Sequence, residues 1–107
     1  MIKTVKVGGR DLELAANAAT PFRFRQVFKK DLLSVLADEK KAQDQGLETI
    51  MQLAFIMAKQ AEKADMAALD DDAFIGWLEG FGSMAFVETA EDILNVYMDS
   101  TVSTAEP

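Results

Sequence analysis

The chain reads as a mainly α domain, a small bundle of about four helices with an N-terminal β-hairpin. Three observations predict this. Apolar residues recur at three- and four-residue steps from Thr20 to Met98. Strict alternation of apolar and polar residues is confined to Ile2–Leu14. The 107 residues are half hydrophobic, which suits one domain with a modest core.

The hairpin comes first. Ile2–Val7 alternates, Gly8-Gly9-Arg10 follows, and Asp11-Leu12-Glu13-Leu14 alternates again. Glycine tolerates the positive φ that tight hairpin turns require. A lone hairpin is marginal in water, so it must lie on the helices or pair at its edge with another chain. Ala15–Ala19 is a small-residue connection into the first helix.

That helix is expected over Thr20–Leu36, TPFRFRQVFKKDLLSVL. Thr20 can cap it, and Pro21 suits the first helical position because its missing N–H would be unpaired there anyway. Phe24, Phe28, Leu32, Val35 and Leu36 share one face. Asp38–Gly46, DEKKAQDQG, is polar and reads as a loop with room for a solvated helical turn. A second helix follows from about Leu47 to Lys63. Leu47, Ile50, Met51, Ala54, Met57, Ala58 and Ala61 line one face, and Leu53, Phe55 and Ile56 widen it. A helix so apolar is either central in the bundle or partly covered by another molecule, and the central position is favoured because all-round apolarity usually means burial.

Ala64–Leu69 bridges to the third helix, which Asp70-Asp71-Asp72 opens and Gly80 and Gly82 close. Phe74, Trp77, Leu78 and Phe81 form its face. Ser83 can cap the last helix, with Met84, Val87, Ala90, Leu94, Tyr97 and Met98 on one face and Phe86 and Ile93 beside it. Residues 1–99 thus form a single domain, and the polar residues 100–107 read as a flexible tail.

Composition excludes several functions. Cysteine and histidine are both absent, which removes disulfides, thiolate chemistry, the usual general base and the commonest metal ligand. The net charge of −7 argues against nucleic-acid binding, which needs a basic surface. No apolar run is long enough for a membrane helix, and no signal peptide is visible, so a cytoplasmic protein is expected. Six Met are adaptable apolar groups that often serve partner binding, but Met in a small core is the commoner case.

Individual motifs favour bland readings. Asp70-Asp71-Asp72 lacks the alternating ligands, central Gly and terminal Glu of a calcium loop, so it reads as a helix cap. Glu88, Glu91 and Asp92 lie close together but have no His to complete a metal or acid–base site, so they read as a solvated acidic face. Arg23, Arg25, Lys29 and Lys30 interleave with Phe22, Phe24 and Phe28, yet the Phe spacing is that of a buried helix face. That basic stripe can instead meet the acidic face of a second copy. Gly76-x-x-x-Gly80 lacks membrane flanks, and Gly80-x-Gly82 lacks a βαβ setting. No cofactor, no metal and no catalytic residue is expected, and the chain reads as a non-enzyme.

The order of features carries a resemblance. "VGGRDLEL" leads into "ATPFRFRQVFKKDLL", then "LAFIMAKQA", "FIGWLEGF", a last helix and the ending "STAEP". This resembles the tail assembly chaperones of long-tailed (siphovirus) phages and prophages of Gram-positive bacteria, roughly from Val5 to Pro107. The resemblance implies a non-enzymatic factor that binds the apolar, helical tape-measure protein in the cytoplasm of the bacterial host. It implies help for the tail-tube protein to polymerise, self-association into a homo-oligomer, absence from the mature virion, and in many members a longer frameshifted form. A holdase for a helical client needs exposed, adaptable apolar groups. Phe22, Phe55, Ile56, Phe86 and Met98 are the candidates, with Trp77 an anchor if exposed; the competing account is that they complete the core. The alternatives are a small acidic phage-encoded regulator or inhibitor of a host protein, and a minor structural tail protein.

Overall fold

In the computed structural model, residues 2–103 are described, with side chains described except at Ala42 and from Ser100 onward. Strands β1 (Ile2–Val7) and β2 (Arg10–Ala15) form an antiparallel hairpin with Val5 opposite Leu12 and Val7 opposite Arg10. Gly8 and Gly9 have φ of 58° and 83°, the two positive values of the tight turn that best matches strand twist. Lys3, Val5, Val7, Arg10, Leu12 and Leu14 share the inner face, where Val7 and Leu14 are fully buried. The opposite face, with Thr4, Lys6, Asp11 and Glu13, is exposed.

Helices α1 (Thr20–Phe28) and α2 (Leu32–Ala37) replace the single helix expected over Thr20–Leu36. The helix stops because Lys29 turns left-handed, with φ 59°, and sends its N–H to the Arg25 carbonyl. Asp31 then caps α2, accepting hydrogen bonds from the Leu33 and Ser34 N–H groups. The bend lets Phe24, Val27 and Phe28 on one helix and Leu32 and Val35 on the next all reach the interior. Thr20 is not the cap. Ala19 holds that position without a side-chain bond, and Thr20 is fully buried. Its Oγ1 accepts from the Asn17 N–H at 3.0 Å and from Gln60 Nε2 at 3.2 Å. Pro21 falls at the second helical position, one place later than expected but still in the first turn, where its missing N–H would be unpaired.

The polar stretch read as a loop is the first part of α3 (Glu39–Ala61). Asp38 caps it through the Lys40 and Lys41 N–H groups. Glu, Lys, Ala and Gln are strong helix formers, so a solvated turn needs no apolar face to persist. The second half of α3 is central, as its composition requires: Leu53–Ala58 are all buried, and β2, α1, α2 and α5 pack on the helix. A 3-10 turn, Met66–Ala68, leads to α4 (Asp71–Leu78), whose N-terminus Asp70 caps through the Ala73 N–H at 2.9 Å. Helix α5 (Ala85–Ser103) lies on β1 and α3. It begins two residues after Ser83, out of a turn in which the Ala85 N–H meets the Gly82 carbonyl. It also continues through Ser103, so the expected flexible tail from Ser100 is helical over its first residues; residues 104–107 lie outside the described residues.

Aromatic rings bind these pieces together. Phe55 on α3 stands 6.1 Å from Phe28, 5.5 Å from Phe74 and 5.4 Å from Trp77, all edge-on. Trp77 continues to Phe81 and Phe86 at 4.9 and 5.7 Å. The ring path thus links α1, α3, α4 and α5 through one core. Arg10 locks the hairpin to its far end, donating to the Gly80 carbonyl at 2.9 Å while its guanidinium covers the Phe81 ring at 4.4 Å.

Candidate interaction surface

The six residues singled out in the sequence separate into two groups. Phe55 and Ile56 are fully buried and Phe86 is 3% exposed, so these three are core residues and cannot meet a partner in the folded domain. Trp77 is half-buried within the ring path. Phe22 is 68% exposed and Met98 is 47% exposed.

The orientation of α5 explains the division. Spacing predicts that Met84, Val87, Ala90, Leu94, Tyr97 and Met98 face inward together. The helix instead turns Ala85, Phe86, Ile93, Val96 and Tyr97 into the core. Two apolar stripes overlap on this helix, and the one with the larger rings and the β-branched residues is buried, because it removes more apolar surface from water. Met84, Val87 and Met98 are left exposed, with Leu94 half-buried between them. Steps of seven and four residues place Val87, Leu94 and Met98 in one strip along the helix, and Met84 lies in the turn just before its first residue. Of the face that spacing predicts, Tyr97 does turn inward and Ala90 and Leu94 are half-buried, whereas Met84, Val87 and Met98 face water.

Charge borders the strip. Glu88, Glu91, Asp92 and Asp99 are all exposed on α5, and the helix carries no cation. Glu88, Asp92 and Asp99 follow one another at four- and seven-residue steps, so they line one margin of the apolar strip, and Glu91 falls within it. Lys3 reaches only the far end, 3.1 Å from Asp99. The opposite pattern occupies α1. Its inward residues are Thr20, Phe24, Val27 and Phe28, which leaves Phe22, Arg23, Arg25 and Gln26 outside. Lys29 stands beside them, and no acidic residue occurs from Thr20 to Lys30. Arg25 makes one long ion pair, 3.8 Å to Asp31, between two exposed side chains.

A cleft of about 350 Å³ opens between the end of β2, α1 and the end of α3, lined in part by Asn17, Arg23, Gln60, Lys63 and Asp65. Gln60 Nε2 donates to the Ala15 carbonyl at 3.0 Å and to Thr20, which ties the hairpin to α1. Its Oε1 is buried without a hydrogen-bond partner among the described residues. Asp65 already caps the 3-10 turn, and the other two charged groups are cations, so the cleft offers no pairing of nucleophile and base. Among the described residues, no group of three carboxylates is placed to hold a metal ion. No described helix is long and apolar enough to cross a membrane.

Two features thus mark the surface: an apolar strip edged by carboxylates on α5, and an exposed ring among cations on α1. No family model matches the chain, and neither a curated protein nor a solved structure matches it.

Proposed function

We propose that the chain is a non-enzymatic tail assembly chaperone of a long-tailed phage or prophage. In this reading it holds the tape-measure protein in the host cytoplasm, assists the tail-tube protein and is left out of the mature virion. The observation that carries the reading is the α5 strip: Val87 and Met98 on the helix, with Met84 in the turn just before it, expose large apolar groups in a strongly acidic chain. An amphipathic client helix can lay its apolar face on such a strip at i, i+3 and i+7 positions, and unbranched Met side chains adapt to varied partners. The quoted sequence motifs, from the Thr20-Pro21 helix start to Phe74–Phe81, supply the phage setting by resemblance.

The test is a pull-down with the tagged protein expressed beside the phage's late genes, read by mass spectrometry. The expected result is recovery of a very long helical tape-measure protein that stays bound at high salt and is lost with Val87→Asp. Capture instead of one host protein, released by salt, would replace this reading with an inhibitor that binds through its acidic surface. Finding the chain in purified virions would replace it with a structural tail subunit.

A further inference from the structure

The two exposed surfaces match each other. On α1, Phe22 is the most exposed large hydrophobic among the described residues, and Arg23, Arg25 and Lys29 surround it. Met84, in the turn before α5, and Val87, on α5, are 60% and 46% exposed, and Glu88 and Asp92 stand along the margin of the helix. Within one molecule these faces do not satisfy each other. Helix α1 packs on α3, α2 and the 3-10 turn, whereas α5 packs on α3 and β1, and both apolar groups remain in water.

We propose that the outer face of α1 in one copy docks on the α5 strip of a second copy, with Phe22 as the anchor and the α1 cations facing the α5 carboxylates. Charge complementarity selects this occupant. Helix α1 itself carries no acid and α5 itself carries no base, and the pairs at their margins, Arg25–Asp31 and Lys3–Asp99, join exposed side chains, so like-to-like pairing of either helix sets equal charges against each other, which is unfavourable. Pairing α1 with α5 converts both repulsions into attractions and covers the exposed ring. The contact is small, because α1 spans only nine residues. It belongs with weak interfaces, below about 1,200 Å² in total, and forms in a concentration-dependent way. The inference shares the α5 strip with the chaperone reading but does not rest on it.

The test uses the full chain alone, with no client, so its failure leaves the chaperone reading standing. Mass is followed by light scattering and sedimentation as concentration rises from micromolar to millimolar. The wild type is expected to climb from the monomer mass of 11.8 kDa to at least about twice that, and to fall back several-fold in association strength at high salt. Phe22→Asp and Val87→Asp each leave one face intact and are each expected to stay monomeric, with unchanged circular dichroism because both sites are exposed. Mixed in equal amounts they are expected to regain a dimer, since the intact α1 of one meets the intact α5 of the other. A monomeric wild type at every concentration overturns the proposal. So does a mixture that remains monomeric, since the intact α1 of one variant then fails to meet the intact α5 of the other, or a single variant that associates as the wild type does, which would mean that like faces pair.

Discussion

Replacing Phe55 by alanine tests whether the ring path is the structural centre of the domain. The side chain is fully buried and meets Phe28, Phe74 and Trp77 within 6.1 Å. Burying an aromatic side chain removes about 150–250 Å² from water, which at about 25 cal/mol/Å² is about 4–6 kcal/mol. Alanine keeps the β-carbon, and the unfolded chain already hides part of the ring, so the expected loss is about 3–5 kcal/mol. A domain of this size has a total stability of about 5–15 kcal/mol. The variant should therefore lose a large fraction of its stability, with the thermal midpoint falling by at least about 12 °C. The assay is urea unfolding followed by far-ultraviolet circular dichroism, extrapolated to water, with the slope checked against the wild type. Phe22→Ala is the control: its ring is 68% exposed, and the expected change is within about 0.5 kcal/mol. A loss below about 1 kcal/mol for Phe55→Ala, or equal losses for the two variants, would refute the assignment of Phe55 to the core.

Two further perturbations act on the backbone and on one buried phenol. Lys29→Gly should stabilise the domain by about 0.5–1 kcal/mol, because a left-handed non-glycine residue costs about 1–2 kcal/mol and glycine's extra chain entropy returns only part of it; an unchanged urea midpoint would count against the left-handed cap. Burial pushes the Tyr97 phenol above its ordinary value of 10.0, so the folded state holds that proton more tightly than the unfolded chain. The associated stability is complete below about pH 10 and is lost as pH rises through the raised value, so the thermal midpoint should fall on the alkaline side less steeply in Tyr97→Phe than in the wild type.

The parts of the fold legible in the sequence were those where a single pattern had one physical solution. Alternation around Gly8-Gly9 can only be a tight hairpin, and a stretch such as Leu53–Ala58 has no polar side to give to water, so it must be central. The break after Phe28 was not legible, because Phe24, Phe28, Leu32 and Val35 keep helical spacing straight through it. Asp31 before an apolar run was the available cap signal, but an uninterrupted stripe outweighed it. Residues 39–46 were misread for the converse reason. Their described side chains are exposed, they leave no apolar stripe, and the signal for helix lies in Asp38 and in the propensity of Lys, Ala and Gln.

The candidate surface was less legible than the fold, because exposure depends on how a helix is rotated about its axis and not only on which residues share a stripe. Charge was easier to see, since four cations and no anion between Thr20 and Lys30 are a local property of the chain. Neighbouring residues on α5 make the rotation measurable. Phe86 is 3% exposed against Trp77 and Phe81, whereas Val87, one position on, is 46% exposed. Phe86→Asp would bury a carboxylate against the Trp77 and Phe81 rings, a cost of several kcal/mol on top of the lost packing. The expected outcome is an unfolded or barely folded chain. Val87→Asp puts the same carboxylate in water and replaces a β-branched residue with another of similar helix propensity, so its expected cost is below about 1 kcal/mol. The face read from spacing alone predicts the reverse order, with Val87 inside. Thermal melts of the two variants, side by side, decide between the two rotations, and a greater loss for Val87→Asp would remove the α5 strip from the surface together with both proposals built on it.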